Sequence, residues 1–343
     1  MDKILNFAVI SAATMGQRHM KGIVQNPQCH LYGICDINED KLKEAAELYH
    51  PDKCVTDYME LVNDPAVDCV VVATPDPFHY QQTVDSLRAG KDVLLEKPMS
   101  LHYEQRLEML KVEKETGRHL MIGQVSRCAP AFMQAKKMVD EGKIGELFFV
   151  ESEYAHNYTK FRGCNDWRLS AERDGFIGGG CHAVDLLRWI AGNPTEVYAL
   201  ANHKCMPDWG APDMTVALYK FPNNVQGKVF CSIGCKRSYT MRTVLYGTKG
   251  TIICSNTAPT IQYFSDSEPL EDGVVNYTKP HNIPVQAEIH NTIEQIKQFV
   301  DAILGNKPLP VPAYEGACDI AIATATTESA RLNKPMLIEY PEM

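Results

Sequence analysis

The chain has 343 residues, past the length at which a single hydrophobic core usually stops growing, so two domains are expected. Its 45% hydrophobic and 22% charged residues fit a globular protein, and a net charge of -9 leaves no basic footprint for nucleic acid or an anionic membrane surface. No run is apolar for long enough to span a bilayer, and the opening Met1-Asp2-Lys3-Ile4 lacks the pattern of a secretory signal, which makes a cytoplasmic protein the expectation. Twelve cysteines are scattered from Cys29 to Cys318 without a C-x-x-C pair, so free thiols are expected, and neither disulfides nor a structural metal.

In chain order, 6–10 predicts a strand, 16–24 a helix, 30–35 a strand and 38–48 a helix, followed by an extended 54–55 and a helical 58–62. The run Cys69-Val70-Val71-Val72-Ala73 is apolar throughout, as expected of a central parallel strand covered on both faces. Helix 80–89, strand 93–95, helix 103–116 and strand 120–122 complete an alternation that implies right-handed crossovers. The fold class is therefore α/β, with a Rossmann-type, doubly wound parallel sheet over residues 1–124. Beyond it the rhythm changes. A helix over 130–140 leads to strands at 147–154, 196–201, 214–221, 226–233, 242–247, 251–254 and 260–264, then to helices at 286–304 and 314–332. Residues 125–343 thus predict an α+β domain with a largely antiparallel open sheet, whose C-terminal helices are free to pack back on the first domain.

The turn after the first strand reads Ser11-Ala12-Ala13-Thr14-Met15-Gly16, which keeps only the third glycine of the dinucleotide fingerprint. Small residues at Ser11 and Ala13 still leave room for a phosphate over the start of the helix, where Thr14, Met15 and Gly16 lie and where the dipole favours an anion. Asp36 stands at the end of the second strand, placed to accept from the adenosine ribose hydroxyls. A carboxylate there repels a 2'-phosphate and no arginine follows in Asp36-Ile37-Asn38, so NAD is expected rather than NADP. After the fourth strand comes Thr74-Pro75-Asp76-Pro77-Phe78-His79, a turn that caps the next helix and is compatible with a place beside a cofactor.

The strand at Asp92-Val93-Leu94-Leu95 ends in Glu96-Lys97-Pro98. This delivers an ammonium group to the carboxyl edge of the sheet, where open α/β folds bind ligands, and makes Lys97 the first catalytic candidate; the plain alternative is a solvated strand-end lysine. In the second domain Gly178-Gly179-Gly180-Cys181-His182-Ala183-Val184-Asp185 opens a helix and puts His182 and Asp185 on one face of its first turn. A histidine there can exchange a proton near neutral pH, or simply pair with Asp185; no second histidine at i+4 suggests a metal. Tyr154, His156, Asn157 and Tyr158 follow one another along a predicted strand, so Tyr154, His156 and Tyr158 should share a face suited to a carbohydrate ring, or to a half-exposed strand.

Glu96-Lys97-Pro98, Thr74-Pro75 with His79, and Gly180-x-His182 with Asp185 occur together and in order, and in that combination the chain resembles the glucose-fructose oxidoreductase, inositol dehydrogenase and rhizopine catabolism (Gfo/Idh/MocA) family over essentially its whole length. The resemblance implies a Rossmann domain joined to a domain whose open sheet binds substrate on one side and forms oligomers, a homodimer or homotetramer, on the other. It further implies that Lys97 hydrogen-bonds the reacting hydroxyl and that His182 accepts or relays its proton. Thr74, Pro75 and His79 would border the cofactor, Glu96 would lie near the nicotinamide ribose, and Arg127, Trp167 and Arg168 would approach cofactor and substrate, with Asp185 nearby. The chain departs from the family twice: in the eroded glycine fingerprint, and at Gly178, four residues before His182, where polyol dehydrogenases of the family often carry an aspartate. The first expectation is an NAD-dependent dehydrogenase acting on a ring hydroxyl of a sugar, inositol or related polyol. A glycosidase or epimerase that oxidises its sugar transiently and keeps its NAD, and a non-catalytic dinucleotide or sugar sensor, stand as alternatives.

Overall fold

The computed structural model describes residues 3–160, 164–170, 173–305 and 307–342. They form two units: one runs up to Val125 and takes in Asn291–Cys318 and the end of the chain from Pro341, and the other comprises Ser126–His290 and Asp319–Tyr340.

The first unit alternates β1 (Leu5–Ile10), α1 (Thr14–Gln25), β2 (Cys29–Cys35), α2 (Glu39–Tyr49), β3 (Lys53–Val55), α3 (Met59–Val62), β4 (Cys69–Val72), α4 (His79–Arg88), β5 (Asp92–Leu95), α5 (Tyr103–Thr116) and β6 (Leu120–Ile122). The strands pair in parallel in the order β3-β2-β1-β4-β5-β6, the doubly wound arrangement that brings strand ends together where the order reverses, between β1 and β4. The four residues of β4 are all buried, which is why the sequence there is apolar without alternation. Phe7, Val9, Met20, Ile23, Val71 and Leu94 share a core with Ile296, Phe299 and Val300. Those last three belong to a late helix, α8 (Thr292–Ile303), and its Phe299 meets Phe7 edge to face at 6.3 Å. The helix expected over 286–304 is shorter because Asn291 caps it: the Asn291 side chain accepts from the Glu294 amide at 3.0 Å, and such a cap needs non-helical backbone before it.

The second unit carries α6 (Pro130–Asp140), β7 (Leu147–Ala155), α7 (Cys181–Ala191), β8 (Glu196–Asn202), β9 (Met214–Lys220), β10 (Gln226–Ser232), β11 (Thr240–Gly247), β12 (Gly250–Ser255), β13 (Thr260–Ser265), β14 (His281–Pro284) and β15 (Met336–Leu337). Helix α9 (Ala313–Leu332) contributes its residues from Asp319 onward. The sheet order is β14-β13-β12-β11-β7-β10-β9-β8-β15; among the pairs described only β7 with β10 is parallel. The edge strands β14 and β15 are short and half exposed, so they lack the apolar alternation that identifies a strand from sequence. Helix α7 lies on the sheet at Gly227, where a Cβ would come within 3.0 Å of Leu187 and 2.9 Å of Phe221. The opposite side of the same strands bears charge, with Lys228 on Glu151 at 2.8 Å and Arg242 on Glu153 at 3.2 Å. The described cysteines are free, and burial pushes the Cys69 and Cys231 thiols well up, so these side chains pack as small apolar groups. Among the described residues no helix is long and apolar enough to cross a membrane.

Candidate active site

In the first unit the turn between β1 and α1 is tight. The Ala12 amide donates to Asp36 Oδ2 at 2.7 Å and the Asn38 amide to Asp36 Oδ1 at 2.9 Å, which fixes the acid at the end of β2 against the turn. A carboxylate offers about four lone-pair directions, so two amides leave it room to accept from ribose hydroxyls. A Cβ on Gly16 would stand 1.8 Å from the Ser11 carbonyl oxygen, so the one surviving glycine of the fingerprint is required by the packing of helix on turn. No side chain caps α1. The flush turn, the uncapped helix start and the acid on β2 fit the pyrophosphate and ribose of a dinucleotide.

Ser11, where the fingerprint has its first glycine, has φ 105°, in the region that favours glycine, and its Oγ accepts from the Ala13 amide at 3.2 Å. Ser11→Gly is expected to stabilise the first unit by about 1 kcal/mol, the relief of left-handed strain outweighing glycine's extra entropy in the unfolded chain. A circular dichroism melt checks this, and a lowered midpoint would mean that the hydroxyl bond to Ala13 dominates.

Lys97 stands half-buried directly after β5, and the residues around it are held on both sides. Glu96 Oε1 lies 2.8 Å from Nε2 of His19 on α1, and Glu96 Oε2 accepts from the Lys97 amide at 3.3 Å. The Lys97–Pro98 peptide is cis. The buried imidazole of His79 lies between two main-chain carbonyls, with Nδ1 2.8 Å from Pro98 O and Nε2 2.9 Å from Thr74 O, and a neutral ring donates to one of them at a time. The Thr74 hydroxyl donates to Gln82 Oε1 at 2.6 Å. Glu96, His79 and Thr74, expected to border the cofactor, are each also engaged by protein, around the loops after β4 and β5 on which Pro75 and Lys97 stand. His19 escaped the sequence reading, because a lone helical histidine gives no sign of the carboxylate it meets 77 positions later.

In the second unit a π-helical turn, Phe176–Gly180, leads into α7, and His182 is the second residue of that helix. Turns of this kind recur at functional sites. Its ring stacks on Tyr154, with centroids 5.9 Å apart and planes at 22°, and its Nδ1 lies 3.2 Å from Ser126 Oγ. Tyr154 heads an aromatic cluster. Its hydroxyl is 2.7 Å from that of Tyr158 and 3.3 Å from His156 Nδ1, and the Tyr239 ring stands 5.5 Å from Tyr154 and 4.6 Å from His156. His290 adjoins both Tyr239, at 5.6 Å, and His182, at 6.4 Å. The gathering of Tyr154, His156 and Tyr158 persists past the end of β7 because the His156 and Tyr158 amides go on donating to Ser232 and Ile233 beside β10. Burial, then the neighbouring Tyr158 and Tyr239, push the Tyr154 phenol well up, so it works as a neutral hydrogen-bonding group. Ser126, Tyr239 and His290 were missed, since each comes from an element remote in sequence.

Other expected contact residues are also engaged by neighbouring side chains. Arg127, read as a substrate contact, is 6% exposed and donates to Asp185 through Nε at 2.9 and 3.0 Å and through Nη2 at 2.6 Å. Asp185, 0% exposed, therefore belongs to a buried ion pair. Burial and then the neighbouring Asp185 carboxylate push the Asp319 carboxyl well up, while Arg188, 3.8 Å away, acts in the opposite direction. Asn157 spends its side-chain oxygen on a turn, accepting from the Thr159 amide at 3.0 Å. Arg168 lies over the ring of Trp167 at 4.4 Å, and the Arg173 guanidinium approaches the same ring at 4.9 Å. A Cβ on Gly178 would stand 2.3–2.5 Å from that guanidinium, so a side chain there would require the end of Arg173 to shift. Among the described residues no group of three or more His, Cys, Asp and Glu side chains is arranged to hold a metal ion.

Comparison with known proteins agrees with this architecture. Residues 5–124 match a family described as an oxidoreductase family with an NAD-binding Rossmann fold, and residues 132–253 match the GFO/IDH/MocA C-terminal domain. Inositol 2-dehydrogenase of Rhizobium meliloti (strain 1021) is 27% identical, with 95% of this chain and 96% of that protein aligned. The uncharacterized oxidoreductase YrbE of Bacillus subtilis (strain 168) is 26% identical over 100% of this chain and 99% of that protein. Levoglucosan dehydrogenase in complex with NADH shares the fold, at a TM-score of 0.88 and 20% identity, over 99% of this chain and all of the other. With a Rossmann unit of matching strand order and a second unit built on the mixed open sheet, the chain belongs to the Gfo/Idh/MocA family of NAD-binding oxidoreductases.

Proposed function

We propose that the protein oxidises, or in reverse forms, a secondary ring hydroxyl of a sugar, inositol or related polyol with NAD as redox partner. Bound NAD supplies the hydride acceptor. As the carbon–hydrogen bond gives up its electron pair to that acceptor, the hydroxyl must lose a proton and the carbon–oxygen bond becomes a carbonyl. Lys97 holds the oxygen and stabilises the negative charge developing on it, and His182 takes the proton and passes it on. Asp36 selects NAD by accepting from the ribose hydroxyls.

The observation that carries this reading is the cluster around His182. Tyr154, Tyr158, Tyr239, His156 and His290 combine flat apolar faces with hydroxyl and imidazole edges, which matches a saturated ring whose C–H faces are apolar and whose rim is hydroxylated. The inositol dehydrogenase relative supports the same substrate class. The test is absorbance at the reduced-nicotinamide band with purified protein, NAD and a panel of hexoses, inositols and glycosides. A rise with one group is expected and would name the class. Silence across the panel, with NAD binding demonstrated by calorimetry, would overturn net dehydrogenation in favour of an enzyme that oxidises its sugar transiently and retains its cofactor, or of a non-catalytic sensor.

A further inference from the structure

The carboxylate of Glu96 is held from two directions. Its Oε1 lies 2.8 Å from His19 Nε2 on α1 and its Oε2 accepts from the Lys97 amide at 3.3 Å, so one side chain links a helix to the main chain of the lysine. Water offers neither partner an alternative, since His19 is 0% and Glu96 5% exposed. The main chain behind the carboxylate is pinned as well: the Glu96 amide donates to Val72 O at 2.9 Å and the Gly123 amide to Leu95 O at 2.7 Å. A Cβ on Gly123 would stand 3.1 Å from Glu96 Cα and 3.3 Å from its Cδ, so the chain leaving β6 closes the space on that side. The helix that brings His19 is itself braced. The Thr292 hydroxyl of α8 donates to the Arg18 carbonyl at 3.1 Å, and a Cβ on Gly22 would come within 3.0 Å of Ile296.

A buried carboxylate deprived of a hydrogen-bond partner is strongly disfavoured, and the close approach of Gly123 leaves Glu96 little room to seek another where it stands. Relief comes from displacing the end of β5, and Lys97 is the next residue in the chain. We propose that His19 is a positioning residue for Lys97: acting through Glu96, it ties the end of β5 to α1 and sets the point from which the lysine side chain extends. The same contact joins the two functional parts of the first unit into one rigid piece, because α1 starts at the turn that fits the pyrophosphate and carries His19 further along. A displacement of about 1 Å at a reacting group can cost about 10²-fold in rate, so a side chain with no exposed surface of its own can still govern turnover. That His19 fixes Lys97 stands on geometry; its catalytic meaning rests on the reading of Lys97 as the group that holds the reacting oxygen.

The test compares two amides of unequal length in the full chain. His19→Gln carries its amide nitrogen to the place of Nε2 and keeps the bond to Glu96. His19→Asn is one carbon shorter and reaches only the place of Nδ1, which meets no hydrogen-bond partner among the described residues. The lysines are converted to 13C-dimethyl-lysines, which keeps their charge, and the Lys97 signal is assigned by its loss in Lys97→Arg. His19→Gln is expected to leave that signal in place and to retain most of the turnover. His19→Asn should shift or broaden it and lower kcat about tenfold to a hundredfold, with the KM for NAD little changed. His19→Leu makes the same comparison if the asparagine variant does not fold. A Lys97 signal unmoved in the short variant, or moved equally in both, would overturn the proposal. A signal that moves as expected while kcat does not would uphold the role of His19 and count against Lys97 in the chemistry.

Discussion

Replacing Arg127 by alanine is expected to cost the second unit about 3–5 kcal/mol, because it strands the Asp185 carboxylate in a site without water. Total stabilities of domains run to about 5–15 kcal/mol, so this unit would lie near its unfolding midpoint. All three tryptophans, Trp167, Trp189 and Trp209, belong to that unit, so their emission during guanidinium unfolding reports it specifically. Removing both charges at once, as Arg127→Met with Asp185→Leu, should recover most of the loss, since an apolar pair of similar bulk needs no compensation. A loss below about 1 kcal/mol in the single variant would place the pair among weak surface-like contacts and return Arg127 to the candidates for touching substrate.

Lys97→Ala is expected to lower turnover by about 10²–10⁴-fold while dinucleotide affinity stays within about threefold. The separation follows from the architecture of the first unit. The turn at Ser11 to Gly16 and the carboxylate of Asp36 lie on β1, α1 and β2, whereas Lys97 follows β5 and none of the bonds that shape that turn involves it. Stopped-flow hydride transfer beside calorimetric titration of NAD measures the two quantities apart. Unchanged turnover would remove Lys97 from the chemistry. A parallel collapse of NAD affinity would make it a cofactor ligand instead.

How far the sequence could be read depended on the range over which its signals act. The unbroken apolar run at Cys69 to Val72 declared a buried parallel strand because both faces of that strand are covered, and the alternation around it set the whole first unit. Asp36 was found because the distance along the chain from turn to acid is built into a strand–helix–strand unit. His19, Ser126, Tyr239 and His290 could not be found in this way. Each reaches its partner through tertiary packing, and nothing in the periodicity of its own segment records the partner's identity. Arg127 and Asp185 were singled out as polar groups near the chemistry, yet a single sequence does not reveal that the two neutralise one another. The same limit applied to Gly178, beside which the guanidinium of Arg173 lies.

The buried imidazole of His79 packs between the carbonyl of Thr74, after β4, and the carbonyl of Pro98, after β5, within hydrogen-bond distance of both. Two loops that would otherwise fluctuate independently are thereby made into one preorganised rim. Ordering a segment at the moment of binding commonly consumes a part of the interaction energy, about 0.5–1.5 kcal/mol for each side chain immobilised. Here that ordering is completed during folding, so on the proposed reading a ligand at Lys97 would find its surroundings already set. Affinity at this rim is then governed by the contacts the ligand makes and little by what the protein must first arrange.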